Sequence, residues 1–198
     1  MSHTATPPDP ARRVWVTAAS VAGGAGIVAT SVPFVVSMAP SERARALGAP
    51  VEVDVGVIKP GELRTAEWRG KPVWVLRRTT DMLESLRSHD ALLSDPHSSR
   101  RRQQPEYARN DLRSVKPDIT VLVAICTHLG CIPTFRPEPG AADIGASWPG
   151  GFYCPCHGSK FDLAGRVFKN VPAPSNLEVP PHHYSGESTL HIGVGPGA

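Results

Sequence analysis

The chain has 198 residues, a length that suits one ordinary domain with an appendage. Its 21 prolines and 18 glycines indicate a turn-rich, mostly β head with little room for long helices. The formal net charge is only +3, and no aromatic residue interrupts the one basic run, Arg100-Arg101-Arg102, so the composition does not favour nucleic-acid binding.

The first feature along the chain is an uncharged segment that follows Arg12-Arg13. As a helix, Val14–Met38 would be roughly 37 Å long, enough to cross a hydrocarbon core of about 30 Å. A removed signal peptide would have a shorter apolar core and a small-residue cleavage site. We therefore predict a tail over residues 1–13 and one transmembrane helix over residues 14–38.

The orientation of this helix is not decided by counting charges, because Arg43 and Arg45 on the far side match Arg12 and Arg13. Paired arginines before a Gly- and Ala-rich segment resemble a twin-arginine export signal. Export by this route would leave the tail in the cytoplasm and carry the rest of the chain outside, where disulfides persist.

Small and charged residues, bracketed by Pro40 and Pro50, fill residues 39–50. This composition predicts a flexible hinge, although an ordinary juxtamembrane spacer would look the same. The head then covers residues 51–198.

The first part of the head has the residue patterns of β-strands. Residues 51–57 alternate between valine and polar or small residues, which is typical of a half-buried strand. Pro60-Gly61 marks a turn, and residues 62–69 and 72–78 form two further candidate strands separated by Gly70. Together they predict an antiparallel meander.

A short helix is predicted near residues 81–90, starting at Asp81. The following stretch, residues 94–118, is polar and predicts irregular structure. We expect His89 and His97 in this part of the chain to lie on the surface.

Two short boxes then follow a continuous apolar strand at residues 119–125. They are Cys126-Thr127-His128-Leu129-Gly130-Cys131 and Cys154-Pro155-Cys156-His157-Gly158-Ser159, and they hold all four cysteines and two of the eight histidines. Six such side chains are too many for one tetrahedral metal, so the natural partition is four ligands and one cysteine pair.

A proline- and glycine-rich stretch separates the boxes, and we expect it to form a surface excursion followed by a strand that presents the second box. Gly165 predicts a turn, which is followed by a short strand at Val167-Phe168. A closing strand is predicted at residues 189–194. His182-His183 is not a metal pair on this view, because adjacent positions on extended chain point to opposite faces, and we expect both to be exposed.

The two boxes resemble those of the Rieske iron-sulfur subunits of cytochrome bc complexes, the ubiquinol:cytochrome c reductases. The resemblance continues in Gly165-Arg166 and Pro172-Ala173-Pro174 and extends to the layout of anchor, hinge and head. It implies a Rieske-type antiparallel β-sandwich with a small cluster-binding subdomain at about residues 122–176, tethered by one N-terminal transmembrane helix. It also implies one 2Fe-2S cluster per chain.

Residue roles follow from the same resemblance. The implied cluster ligands are Cys126, His128, Cys154 and His157, and the implied disulfide joins Cys131 to Cys156. His157 would be the catalytic residue, because it matches the position that accepts a hydrogen bond from quinol. The residues expected around the cluster are Leu129, Gly130, Gly158, Ser159, Phe161 and Pro172.

Each surrounding residue has an expected part. Leu129 shields the cluster, the two glycines let backbone amides approach the sulfurs, and Pro172 closes a third side. The Ser159 hydroxyl would donate to a bridging sulfide. Phe161 departs from the family, which often has a tyrosine there that donates to a ligand sulfur, so the redox potential is in doubt.

This ligand set suits quinol oxidation. Two ferric ions, two sulfides and two thiolates sum to about zero charge, whereas four thiolates would add two negative charges. A less negative cluster accepts an electron more readily, at roughly −150 to +300 mV instead of about −400 mV.

The resemblance therefore implies a subunit that takes one electron and a proton from ubiquinol, passes the electron to a c-type cytochrome and contributes to proton translocation. Its expected partners are cytochrome b and a c-type cytochrome in a dimeric complex of the bacterial inner membrane, with the head in the periplasm and no turnover by the isolated chain.

Other readings of the boxes are a structural zinc site, two plain disulfides, arsenite oxidase or a ring-hydroxylating dioxygenase. Dioxygenase clusters lack the Cys131 and Cys156 pair, and the arsenite oxidase subunit lacks a proline-rich tail of this sort. A zinc site would be colourless.

Overall fold

The N-terminal unit of the chain is dominated by one long helix. The computed structural model describes residues 9–197, so residues 1–8 of the predicted tail lie outside the described residues. Helix α1 spans Pro10–Ser37, and its residues are exposed throughout. Its 28 residues make it long and apolar enough to cross a membrane.

Helix α1 begins four residues before the predicted start at Val14. The side chain of Asp9 caps it by accepting a hydrogen bond from the Ala11 amide at 3.0 Å. Pro10 follows at a first-turn position, where its missing N–H costs nothing. Arg12 and Arg13 therefore belong to the helix.

A short second helix, α2, lies within the predicted hinge at Glu42–Leu47. The Ser41 hydroxyl accepts a hydrogen bond from the Ala44 amide at 3.2 Å, and Glu42 pairs with Arg45 at 3.0 Å. The chain divides into its two compact units between Ala46 and Leu47.

The head contains three small antiparallel sheets of three strands each within the described residues. The strands are β1 (Val51–Asp54), β2 (Leu63–Trp68), β3 (Lys71–Arg77), β4 (Ile119–Val123), β5 (Thr134–Arg136), β6 (Gly151–Cys154), β7 (Ser159–Phe161), β8 (His182–Ser185) and β9 (Thr189–Ile192). Their orders are β1-β9-β8, β2-β3-β4 and β5-β6-β7. This architecture confirms the predicted mostly β, Rieske-type head.

Strands β3 and β4 are buried on both faces, whereas the edge strand β2 is more exposed. Successive side chains of a strand point in opposite directions, so β4 supplies two cores. Val121 and Val123 of β4 enter one core with Leu190 of β9. Leu122, between them, enters the other core with Phe152 of β6. Burial of both faces explains why β4 reads as an unbroken apolar run.

The predicted hairpin at Gly70 is confirmed, with β2 and β3 paired antiparallel from Leu63↔Leu76 to Trp68↔Lys71. The predicted helix is shorter and starts earlier: α3 spans Thr80–Ser85. Its cap is Thr79, whose hydroxyl accepts from the Met82 amide at 3.3 Å, and not Asp81. The predicted strand at Val167-Phe168 makes only isolated bridges to Phe161 and Leu93.

Two expectations about histidines were wrong. His89 is buried, with its Nε2 3.4 Å from Asp162 Oδ2 and its ring stacked on Phe168. His182 is also buried, because its backbone N–H donates to the Tyr107 hydroxyl and its Nδ1 lies 2.9 Å from the Pro180 carbonyl. His97 is exposed as expected.

Candidate metal centre

The first box begins where β4 ends. The Cys126 amide donates to the Cys131 carbonyl at 2.7 Å, and the Gly130 amide donates back to the Cys126 carbonyl at 3.0 Å. This closed loop needs the positive φ of Gly130, +85°, which favours glycine. The loop holds Cys126 in the core while Leu129, 70% exposed, lies at the surface.

The second box forms the turn between β6 and β7, where Cys154 pairs with Ser159. Here the Gly158 amide donates to the Cys154 carbonyl at 2.9 Å, and Gly158 has a φ of +75°. The same glycine-to-cysteine contact, four residues apart, therefore shapes both boxes. In each box the first cysteine, Cys126 or Cys154, is buried at the base of the loop.

The two loops meet. Cys131 and Cys156 form a disulfide between them. The His128 and His157 rings lie edge to face with centroids 4.7 Å apart. Cys126 and Cys154 are the two free cysteines, and both are buried. The structure thus places the two histidine rings against each other and the two free thiols against each other, and it joins the predicted cysteine pair.

The donor set fits an iron-sulfur cluster. Burial raises the pKa of the Cys154 thiol, and the neighbouring Cys126 thiol raises it further, so a pair of thiolates needs a bound cation there. The Nδ1 atom of His128 is buried and has no hydrogen-bond partner among the described residues. Such an orphaned nitrogen, in the loop that also carries the free Cys126 thiol, suits a metal ligand.

The sulfurs of Cys131, Cys154 and Cys156 also lie within 4.8 Å of one another. We do not assign this trio as the ligand set. Two of the three sulfurs belong to the disulfide, and a disulfide sulfur offers no thiolate to a metal.

A third loop, residues 172–176, packs against both boxes. The Ser159 hydroxyl accepts a hydrogen bond from the Ala173 amide at 3.0 Å, which leaves the hydroxyl proton free to donate elsewhere. The Thr127 hydroxyl donates to the Ser175 carbonyl at 2.6 Å. Arg100 donates to the Pro174 carbonyl at 2.8 Å, which ties this loop to the polar segment of the head.

Phe161 is fully buried in the core that also contains Cys126 and Cys154. It pairs with Phe152 across β6 and β7. The Tyr153 hydroxyl also lies close to the second box, 3.8 Å from where a Cβ on Gly158 would lie.

A buried polar network behind the second box was not predicted. The Asp162 carboxylate accepts hydrogen bonds from Arg166 Nε at 2.7 Å and from the Ala164 and Arg166 amides. Arg166 also donates to Asp90 and to the Leu86 carbonyl. Burial alone would raise the pKa of Asp162, but contacts with His89 and Arg166 outweigh it and hold this pKa below its usual value.

Arg113 is a second unpredicted residue, buried in the polar segment that was expected to be irregular. It donates to the carbonyls of Ala164, Gly165 and Leu177. Burial lowers its pKa to about 10. The available sequence signal was the density of arginines in a segment without a core of its own, but the pattern does not reveal which arginine is inside.

Comparisons with known proteins agree with this geometry. The profile of the Rieske [2Fe-2S] domain matches residues 94–181. The ubiquinol-cytochrome c reductase iron-sulfur subunit of Allochromatium vinosum is 57% identical over 92% of this chain and 87% of its own length. The subunit of the same name from Blastochloris viridis is 37% identical over 90% of this chain and 89% of its own length.

Among solved structures, a chain of a hyperthermophilic respiratory Complex III aligns with 89% of this chain and 98% of its own length, at 29% identity and a TM-score of 0.47. The relatives are named as subunits of a reductase, which is an oxidoreductase complex. With two boxes that meet in one metal centre and with relatives this similar over most of its length, the chain belongs to the family of Rieske 2Fe-2S subunits of ubiquinol-cytochrome c reductase.

Proposed function

We propose that this subunit accepts one electron and one proton from ubiquinol and passes the electron to a c-type cytochrome, contributing to proton translocation. The observation that carries the proposal is the meeting of His128 and His157 above two free, buried cysteines. When bound, a 2Fe-2S cluster with two histidine ligands supplies one-electron redox chemistry at roughly −150 to +300 mV.

Four side chains would hold the cluster. Cys126 and Cys154 would bind the inner iron from inside the core, and His128 and His157 would bind the outer iron. The Cys131–Cys156 disulfide holds the two loops together without occupying a ligand position. Gly130 and Gly158 keep the loops tight, so backbone amides rather than side chains face the sulfurs.

His157 is the proposed contact with the quinol, because it is exposed while the two cysteine ligands are not. Its ring nitrogen that is not bound to iron would accept the hydrogen bond from the quinol hydroxyl and then hold the proton. Leu129, exposed beside it, would limit the access of water to the proton-carrying atom.

The surrounding residues would set the electrostatics. With its oxygen already held by the Ala173 amide, the Ser159 hydroxyl is oriented to donate a hydrogen bond toward sulfide. Pro172 begins the third loop, which packs on both boxes. Phe161 shares a core with Cys154 but has no hydrogen-bond donor. A tyrosine at this position, as the resemblance leads us to expect, could donate a hydrogen bond to a ligand sulfur.

The membrane arrangement is also a proposal. Helix α1 would be a single-pass anchor in the bacterial inner membrane, with residues 1–13 in the cytoplasm, residues 39–50 as the hinge and residues 51–198 as the periplasmic head. Arg12-Arg13, in the first turns of helix α1 and directly before its uncharged residues 14–37, supports twin-arginine export of a folded head. The proposed partners are cytochrome b and a c-type cytochrome in a dimeric complex.

The test uses membranes containing the assembled complex. We expect His128→Ala and His157→Ala each to abolish the EPR signal of the reduced cluster and the quinol-dependent reduction of the c-type cytochrome. His97→Ala, an exposed histidine paired with Asp111, is the matched control and should change neither. An unchanged EPR signal in either ligand variant would refute the ligand assignment. A normal EPR signal in the native complex without electron delivery from quinol would refute the proposed reaction.

A further inference from the structure

A cleft of about 350 Å³ borders the second box at Gly158. Gly158 forms one edge of it, and Trp148 and Phe168 line its inside. Lys160 and Lys169 also line it. Among the described residues that line the cleft, none is acidic.

The two lysine ammonium groups are held in place by neutral partners. Lys160 Nζ donates to the Ile144 carbonyl at 3.2 Å, and Lys169 Nζ donates to the Ala91 carbonyl at 2.8 Å. A carbonyl fixes the position of an ammonium group but does not neutralise it. Both positive charges therefore remain available to a partner.

The carboxylates next to these two carbonyls, and that of Asp162 two residues after Lys160, are already paired with arginines. Asp90, next to Ala91, pairs with Arg166 at 2.8 Å. Asp143, next to Ile144, accepts two hydrogen bonds from Arg136 at 2.6 and 2.7 Å. The segments that form the cleft thus pair their acids with arginines and leave the two lysines uncompensated.

The cleft is preformed. The Phe168 amide donates to the Lys160 carbonyl at 3.1 Å, and the Lys169 amide donates to the Leu92 carbonyl at 2.8 Å. Trp148 and Phe168 pack with Leu93 in a small core of their own. A partner would not have to pay for ordering these walls, which favours specific binding.

The two boxes also differ in what they present to a partner. The first box exposes apolar Leu129 and Ile132, 70% and 56% exposed. The second box adjoins the two lysines. An apolar contact suits a membrane-embedded protein, whereas a fixed cationic cleft suits a water-facing protein surface with carboxylates.

We propose that this cleft docks carboxylate side chains on the water-exposed surface of the c-type cytochrome that accepts the electron. The inference rests on the proposed function and names where on the head that partner binds. Because the lysines are partly solvated, their effect falls on the rate and orientation of docking, and salt weakens it.

The experiment uses the complete complex in nanodiscs of neutral lipid. After a single reduction of the cluster by quinol, the rate of electron arrival at the c-type cytochrome is measured at about 0.01 M and about 1 M salt. We expect Lys169→Glu to slow this rate severalfold at low salt and Lys160→Glu with Lys169→Glu to slow it about tenfold or more. At high salt the variants should match the native complex.

Lys59→Glu is the matched control for each single charge reversal. Lys59 is exposed and lies beside a turn in which the Gly61 amide donates to the Arg77 carbonyl. Arg77 pairs with Ile119 at the start of β4, whereas Cys126 follows the opposite end of that strand. It should leave the rate unchanged at both salt concentrations. The EPR signal of the cluster should be native in all variants, and Lys169→Glu alone carries the test if Lys160→Glu alters it.

Two results would overturn the inference. The first is an electron-arrival rate at low salt that equals the native rate in both Lys169→Glu and the double variant, with an intact EPR signal of the cluster. This result would not affect the proposed function. The second is a slowing that appears only when anionic lipid is added to the nanodiscs, which would assign the cleft to lipid headgroups. Failure of the proposed function would look different, as absent electron delivery from quinol in the native complex.

Discussion

Phe161 is the residue at which this chain departs from the family pattern beside its metal centre. Its ring is fully buried in the core that contains the two free cysteines, so no donor from this position reaches a ligand sulfur. A sulfur that lacks a hydrogen bond keeps more electron density, and this disfavours reduction of the cluster. The side chain at position 161 is therefore expected to affect the redox potential of the cluster.

We expect Phe161→Tyr to raise the midpoint potential by tens of millivolts, because a charge-assisted hydrogen bond of about 1.5 kcal/mol corresponds to roughly 65 mV for one electron as an upper guide. A redox titration of the complex followed by EPR measures the shift. Phe135→Tyr, which adds a hydroxyl to a partly buried ring on β5, at the other edge of the same sheet, should leave the potential unchanged. A potential that is unchanged or lowered in Phe161→Tyr, with an intact spectrum, would show that the new hydroxyl does not reach sulfur.

Asp162 is the second residue with a clear energetic role, because it is the carboxylate that faces buried Arg166. Asp162→Asn would remove the buried anion and leave that guanidinium only the more exposed carboxylate of Asp90, and we expect the free energy of unfolding of the head to fall by about 3–5 kcal/mol. Asp143→Asn, in the solvent-accessible pair with Arg136, should cost less than about 1 kcal/mol. Denaturant unfolding of the two variants makes the comparison, and equal losses would contradict it.

The same carboxylate gives the head a pH dependence. The pKa of Asp162 is lower in the folded than in the unfolded chain, where it is about 3.9. Its contribution to stability is therefore complete above that value and is lost as the pH falls through the lower, folded pKa. In Asp162→Asn this part of the acid-induced loss should disappear.

The disulfide links two elements, the loop after β4 and the turn between β6 and β7. Its cysteines are 25 residues apart, and closing a loop of that length is worth about 3 kcal/mol in the chain-entropy account. We expect Cys131→Ser with Cys156→Ser to keep a full 2Fe-2S cluster that is labile and of lowered potential, because looser loops lose backbone donors to sulfur. Iron analysis of freshly prepared anaerobic protein checks this, and one iron or none per chain would identify the two cysteines as ligands.

The elements that were predictable from the sequence are those fixed by neighbouring residues. The β2–β3 hairpin follows from strand patterns around Gly70, and β4 from an unbroken apolar run. The two cysteine boxes were recognisable because a metal site needs particular side chains at fixed spacing.

The elements that were missed depend on distant contacts. His89 reads as a surface histidine until Asp162, 73 residues away, is placed against it. Arg113 looks like one more charge in a polar segment until the carbonyls of residues 164, 165 and 177 surround it. No local pattern separates Thr79 from Asp81 as the cap of α3, since both are good capping residues.

At the scale of the whole molecule, the proposed function would require one head to visit both a quinol site in the membrane and a separate electron acceptor. The linker that would allow this movement contains helix α2. Inserting prolines between Ser41 and Gly48 should break that helix and stiffen the connection, slowing turnover severalfold while the EPR signal stays intact. Turnover is measured as quinol-dependent reduction of cytochrome c in membranes.

Insertion of the same number of glycine and serine residues is the control for length, because such residues leave the linker flexible. It should slow turnover less than the prolines do. Equal rates in the proline variant and the native complex, with a linker shown to be rigid, would remove the case for movement of the head.

Strand β4 shares its side chains between two cores, and this has a consequence for how long the metal stays bound. One edge of β4 is paired with β3, and Val123 donates to the Glu178 carbonyl on the other edge. Its amides can therefore meet solvent only through global opening, and their hydrogens should exchange among the slowest in the head. Since Cys126 lies three residues after β4, fraying of that strand offers no route to the Cys126 thiol, and loss of a metal held there should proceed through opening of the disulfide-linked loops instead.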